Sequence, residues 1–209
     1  MPEILIQAEL GQQLYNTVKQ LPVNSEIVEI GGWDGKGSTF CMASALFDKC
    51  DKGSKLTSLE IVSDRYNDAK CLYGPYIKDG YNINLLHGKI VDECDVKQFV
   101  SNHINEFKDQ QRGNFDRFYN ENLNYMSSVP NVLSDIPSKI DFLFLDGGEY
   151  STYLEWDLLQ SRCHGFIGLD DSNMLKTKFI KNELIESPDW VIVFESNQRN
   201  GSIIAKKNE

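Results

Sequence analysis

The chain has 209 residues with 31 acidic and 21 basic side chains, and a net charge of −10 argues against a general nucleic-acid binder, which needs lysine and arginine in excess. With 41% apolar and 25% charged residues the composition is that of an ordinary globular protein, enough for one cored domain over residues 1–209. No apolar run approaches the roughly 20 residues of a membrane helix, and Met1-Pro2-Glu3 lacks the basic and apolar regions of an export signal, so a cytoplasmic protein is expected.

Ile4, Leu5, Leu10, Leu14, Val18 and Leu21 recur at helical spacing ahead of Pro22, which predicts an amphipathic helix over about 4–20 inside an N-terminal segment 1–22. Such a helix could cover the domain's own sheet or join a second subunit into a homo-oligomer. Glu26–Ile30 then reads as a strand running into Gly31-Gly32-Trp33-Asp34-Gly35-Lys36-Gly37-Ser38-Thr39, and Phe40 to Phe47 as a helix. Lys55 to Val62 is a second strand, Asp64 to Tyr76 a helix and Ile83 to His87 a third strand. Ile140–Leu145 is nearly all apolar, as a parallel strand covered on both faces should be, and it stops at Asp146-Gly147-Gly148. A helix over Tyr150 to Gln160 and a fifth strand over Gly165 to Leu169 follow, the latter stopping at Asp170-Asp171. Two late strands, Trp190 to Glu195 and Ser202 to Ala205, flank the turn-rich Asn197–Gly201. Alternating strands and helices predict an α/β fold with a mostly parallel sheet.

Residues 89–138 exceed what one helix and its loops need and read as a helical insertion or cap. The five cysteines (Cys41, Cys50, Cys71, Cys94, Cys163) are odd in number and scattered, with no Cys-x-x-Cys pair, which disfavours both a disulfide framework and a thiolate zinc site. Each is expected to be a small buried hydrophobe. His87 and His103 are expected to be structural.

In an open parallel sheet, ligands sit beyond the carboxyl ends of the strands. Four features fall there: the glycine loop, Glu60 after strand two, Asp146 after strand four, and Asp170-Asp171 after strand five. The loop is not a P-loop, because Ile30 stands where the first glycine should and Gly37 separates Lys36 from Ser38; nor is it Gly-x-Gly-x-x-Gly, because Trp33 and Asp34 break that spacing. What remains is Glu29-x-Gly31-x-x-x-Gly35-x-Gly37-Ser38, with Glu60 lying 31 residues after Glu29.

This pattern resembles the class I S-adenosylmethionine-dependent methyltransferases over about residues 25–206. The resemblance implies a Rossmann-like, doubly wound, seven-stranded sheet and binding of S-adenosylmethionine, with Glu29, Gly31, Gly35 and Ser38 at its methionine part, Glu60 at the ribose and Asp92 near the adenine, where Lys89 and Glu93 compete. Trp33 would pack near the cofactor or in the core. Leu145-Asp146-Gly147-Gly148-Glu149-Tyr150-Ser151-Thr152 together with Asp170-Asp171 further resembles the macrocin-type sugar O-methyltransferases and, more loosely, catechol O-methyltransferase. That likeness implies Asp146, Asp170 and Asp171 as ligands of Mg²⁺, an ion that prefers oxygen donors and would acidify an acceptor hydroxyl. Where the related motif carries a second aspartate as base, this chain has Gly148, so Glu149 is the candidate base beside Asp146, with Lys176 and His164 as alternatives. In competition with these roles, Asp146 could cap the helix near Tyr150, and Asp171, Ser172 or Asn173 the helix near Met174. Lys176, Lys178 and Lys181 read as a solvated helix face.

The expected function is methyl transfer to a small-molecule acceptor, most of all a hydroxyl of a sugar or related metabolite, with magnesium as an assisting ion. A non-catalytic cofactor-binding or partner-binding module and a nucleic-acid methyltransferase are the competing readings.

Overall fold

The computed structural model describes residues 4–208; Met1, Pro2 and Glu3, on which the export reading rests, lie outside them. The first helix, α1 (Glu9–Gln20), begins later than its periodicity suggests. Ala8 is extended, and its N–H closes a turn onto the carbonyl of Leu5, so Ile4 joins the core from a turn and not from a helix. The helix stops at Leu21, which is extended before Pro22, as a residue preceding proline prefers.

Strands β1 (Glu26–Ile30), β2 (Lys55–Glu60), β3 (Asn82–His87), β4 (Ile140–Leu145), β5 (Cys163–Asp170), β6 (Trp190–Ser196) and β7 (Ser202–Lys207) form one sheet in the order β3-β2-β1-β4-β5-β7-β6. The first five run parallel, and β7 is antiparallel to both β5 and β6. Between them lie α2 (Ser38–Asp48), α3 (Ser63–Lys78), α7 (Thr152–Leu159) and α8 (Leu175–Glu186). The predicted elements are present, most ends falling within a few residues of expectation.

Alternation along each strand sorts side chains into two apolar layers. Val28, Ile30, Leu143, Leu145, Ile167 and Leu169 face one side, where α7 and α8 pack; Ile27, Phe142 and Phe144 face the other, against α1, α2 and Tyr73 of α3. The amphipathic face of α1, with Leu10, Leu14 and Val18 buried, lies on α2, so it covers this domain itself.

The long segment after β3 folds as three helices, α4 (Glu93–Asn102), α5 (Ile104–Gln111) and α6 (Phe115–Ser127). They bury Val96, Val100, Phe107, Phe115 and Met126 in the first layer. Tyr150 is their anchor: its ring lies 5.1 Å from that of Phe107 and 5.2 Å from that of Tyr119, and its hydroxyl donates to Gln111 at 2.6 Å. Cys41 and Cys163 are buried as expected, whereas Cys50, Cys71 and Cys94 are exposed, because each of the three falls on the outer side of a turn or helix.

The chain order reverses between β1 and β4, and this is where a crevice forms at the carboxyl ends of an open sheet. Ile30 pairs with both Leu59 and Leu145, and Leu145 with Leu169, so the residues just beyond these strands emerge side by side. If α1 belongs to the core, Leu14→Ala will cost about 2–5 kcal/mol of unfolding free energy in urea denaturation, with α1 melting together with the sheet.

Candidate functional site

The chain turns as soon as β1 ends. Gly31 has φ of +93°, and a Cβ there would lie 2.2 Å from the carbonyl oxygen of Asp146. The loops after β1 and β4 thus touch through bare backbone, and Asp146 stands beside the glycine loop for that reason. Gly35, φ +78°, closes the loop against Tyr73, whose hydroxyl donates to its carbonyl at 2.6 Å.

Glu29 lies behind this loop with zero exposure. Its carboxylate accepts hydroxyl hydrogen bonds from Ser38 and Ser58, each at 2.5 Å, and from Thr39. Burial pushes its carboxyl above the usual range, and the three hydroxyls oppose that rise. Glu29 and Ser38 were expected at the cofactor. Both are instead occupied inside the protein, clamping the loop to the first turn of α2. Ser58 comes to it as the register partner of Glu29 on the adjacent strand.

Glu60 closes β2 at 7% exposure. One oxygen accepts the N–H of Trp33 at 2.8 Å and the other that of Val62 at 2.7 Å, and Ile61 adds a third backbone donor. Burial raises this carboxyl too, against those backbone donors and the nearby charge of Arg65. Trp33 is not a core residue: it is 57% exposed, with the Arg65 guanidinium 3.3 Å from its ring centre. Asp92 precedes α4 on the surface and accepts from Asn131 at 3.1 Å. Its rivals are otherwise engaged, because Lys89 donates to Glu93 at 2.8 Å and to the Met126 carbonyl at 2.7 Å. His87 Nε2 lies 3.1 Å from the carbonyl of Ile61, and His103 pairs with Glu106.

On the other side of the reversal, Asp146, Asp170 and Asp171 converge, one carboxylate oxygen from each lying within 4.8 Å of the others. The N-cap residues of α7 and α8, Ser151 and Met174, make no side-chain cap bond, and the first N–H of α8 is taken by Gln110, so these acids are not spent as helix caps. They meet cations of the chain itself. Lys176 Nζ lies 2.9 Å from Asp146 Oδ1 and 2.8 Å from Asp171 Oδ2, and Arg199 Nη1 lies 3.3 Å from Asp170 Oδ2. Burial disfavours the Lys176 ammonium, but Asp146, Asp171 and Glu149 outweigh it and hold its pKa above the ordinary value. Asp146 is pushed up to about 7 by burial, with Lys176 opposing and Asp170 adding to the rise. For Asp171, burial is outweighed by Lys176 and by the bond from Asn200, and its carboxyl is held low. The oxygen donors suit a hard divalent ion in kind. The charges do not, because two of the three carboxylates already share a buried ammonium, so the residues present do not fit a further Mg²⁺.

The sequence placed Lys176 on a solvated face with Lys178 and Lys181. Lys178 is exposed, but Lys176 is buried at 5%, and the clue was its register: Lys176, Ile180 and Leu184 follow at four-residue steps on one buried stripe of α8. His164, the other alternative base, opens β5 six residues before Asp170, about 20 Å away along the strand. It is therefore outside the crevice. Glu149 is inside it, half-buried, accepting from Gln110 of α5 at 3.3 Å, with its carboxyl raised by burial against the pull of Lys176. At Gly148 an added Cβ would lie 2.9 Å from Asn122 Nδ2, so a residue of α6 fills the space where the related motif carries an aspartate. Asn122 Oδ1 is buried and has no partner among the described residues. Sequence reasoning missed Gln110, Asn122 and Arg199.

No protein-family model and no curated protein matches the sequence. Solved structures do match in shape. An O-methyltransferase from Bacillus cereus in complex with S-adenosylhomocysteine is 13% identical over 99% of this chain and 84% of that one, with a TM-score of 0.61. The O-methyltransferase TomG from Streptomyces achromogenes, involved in tomaymycin synthesis and solved with S-adenosylmethionine, is 12% identical over 100% and 84%, also at 0.61. A methyltransferase from Geobacter sulfurreducens is 11% identical over 98% and 81%, at 0.60. Likeness at these identities is one of fold, and the fold is that of the class I methyltransferases.

Behind Gly147, Glu155 is buried with Ser151 donating to Oε1 at 3.0 Å and no partner for Oε2 among the described residues. Burial pushes its carboxyl up to about 7, against Ser151, Lys176 and Thr152, from an ordinary value of 4.5. Its folded pKa is the higher, so the folded state is penalised as pH rises from about 4.5 through 7, where only the unfolded chain ionises freely. Glu155→Gln is expected to abolish this slope and to gain about 3 kcal/mol above pH 7. Urea denaturation of both proteins across that range measures it, and parallel stability curves would refute the assignment.

Proposed function

We propose that this chain transfers a methyl group from S-adenosylmethionine to a hydroxyl of a small-molecule acceptor, a sugar or related metabolite by its motifs. One observation carries the reading: the strand reversal brings the glycine loop, Glu60 and the Asp146–Glu149 loop side by side beyond the carboxyl ends of β1, β2 and β4. The residues fit the cofactor, since Glu60, fixed at the end of β2 by backbone donors, keeps acceptor capacity for a ribose hydroxyl, with Gly31 and Gly35 shaping the backbone beside it. Asp92 and the exposed Trp33 are the side chains assigned to the adenine in this reading. When bound, S-adenosylmethionine supplies the electrophile, a methyl on a sulfonium sulfur that departs as a neutral thioether.

The remaining chemistry belongs to the chain. A hydroxyl is a weak nucleophile until it loses its proton, and Glu149, a carboxylate raised by burial beside the crevice, receives that proton. Asp146 and Lys176 hold the acceptor oxygen in line, which places the reacting atoms at little entropic cost. Gln110 and Asn122 of the cap bound the acceptor side and exclude water from it.

Calorimetry with S-adenosylhomocysteine tests the premise, with NAD as control. Micromolar binding is expected for the wild type, and Glu60→Gln should weaken it by about 10- to 100-fold, the worth of hydrogen bonds to a charged acceptor. An unchanged affinity in Glu60→Gln would refute the ribose assignment, and no wild-type binding would refute the function.

A further inference from the structure

Three carboxylates that approach within 4.8 Å of one another repel strongly unless a cation sits among them. In this chain that cation is built in. Lys176 reaches both Asp146 and Asp171 from the first turn of α8, and the residues on either side of it are pinned. The N–H of Leu175 donates to Gln110 Oε1 at 2.7 Å, and the hydroxyl of Thr177 donates to the carbonyls of Asp170 at 3.2 Å and Asp171 at 2.7 Å. Asp171 is held in turn at φ +53°, a conformation that aspartate tolerates better than most residues, with Asn200 donating to its other oxygen at 2.9 Å. Arg199 completes the set at Asp170.

We infer that Lys176 is the resident cation of this site and occupies the place that a divalent ion would take between Asp146, Asp170 and Asp171, so that the site works without a bound metal. The inference rests on the proposed function for its meaning, and on geometry alone for its content. With Lys176 and Arg199 in position, the three carboxylates retain one net negative charge. A divalent ion added beside Lys176 would reverse that sign in a buried cluster, and one that took its place would first have to displace an ammonium whose side chain has only 5% exposure. Thus a lysine, carried on a helix that the cap also holds, replaces a dissociable ion by a covalently attached one. Unlike a metal ion, it cannot be lost by dilution or chelation.

The test titrates the chelator-stripped full-length protein with MnCl₂, following free Mn²⁺ by its electron paramagnetic resonance signal, and repeats this with Lys176→Met and Asp171→Asn. The wild type is expected to show no saturable binding up to about 1 mM, the weak end for oxygen-ligand sites, and no shift in Tm with Mg²⁺ or chelator. Lys176→Met opens the three carboxylates and is expected to bind Mn²⁺ at least about tenfold more tightly than the wild type. Saturable wild-type binding that Asp171→Asn removes would overturn the inference. So would a folded Lys176→Met that still takes no Mn²⁺, because the lysine would then not be what excludes the ion. Should Lys176→Met fail to fold, Lys176→Gln takes its place, and the wild-type arm decides independently. Both arms read a bound cation and not methyl transfer, so a failure to bind S-adenosylhomocysteine would sink the function and leave this result standing.

Discussion

The carboxylate of Glu29 lies out of contact with water between β1, β2 and the first turn of α2, and it accepts from three hydroxyls at once. A charged group in such a place is costly unless its acceptor capacity is filled, and Ser38 and Thr39 of α2 and Ser58 of β2 fill it. The consequence is geometric. With the end of β1 tied to the start of α2, the loop between them has one path, along which Gly31 meets the backbone of Asp146 and the N–H of Trp33 meets Glu60. The two halves of the crevice are fixed relative to each other through these contacts. Glu29 and Ser38 thereby set the frame in which Glu60, Asp146 and Glu149 stand.

A second network of charge stands across the crevice. Where Glu29 is satisfied by neutral hydroxyls, Asp146, Asp170 and Asp171 are satisfied by Lys176 and Arg199. The difference follows from spacing, since one carboxylate can be stabilised by dipoles whereas three together call for opposite charge. Both networks are anchored in helices at the carboxyl edge of the sheet, α2 for the first and α8 for the second.

Much of this was legible in the sequence. A parallel strand buried on both faces leaves a nearly continuous apolar run, so β4 was found at its observed limits and Asp146 placed at its end; β1 was found by its β-branched residues and the glycine loop that follows it. Glu60 was legible as the acid that closes β2 31 residues after Glu29. Burial of polar residues was harder, because a lysine among lysines reads as solvated until the helical register places Lys176 in line with Ile180 and Leu184. The inward role of Glu29 depends on the strand pairing with Ser58, which only the assembled sheet defines. The cap was foreseen as an excess of chain, but its contacts through Gln110, Asn122 and Tyr150 join segments roughly 25 to 65 residues apart, beyond any local pattern.

Gln110 joins the loop after β4 to the start of α8: its amide nitrogen reaches Glu149 and its amide oxygen takes the N–H that opens α8, next to Lys176. A displacement of α5 outward would therefore disturb Glu149 and Lys176 in the same movement. Under the function proposed above, selection by size would thereby be coupled to reactivity, since a molecule too large for the space beneath the cap would meet a disassembled reaction centre as well as a steric wall.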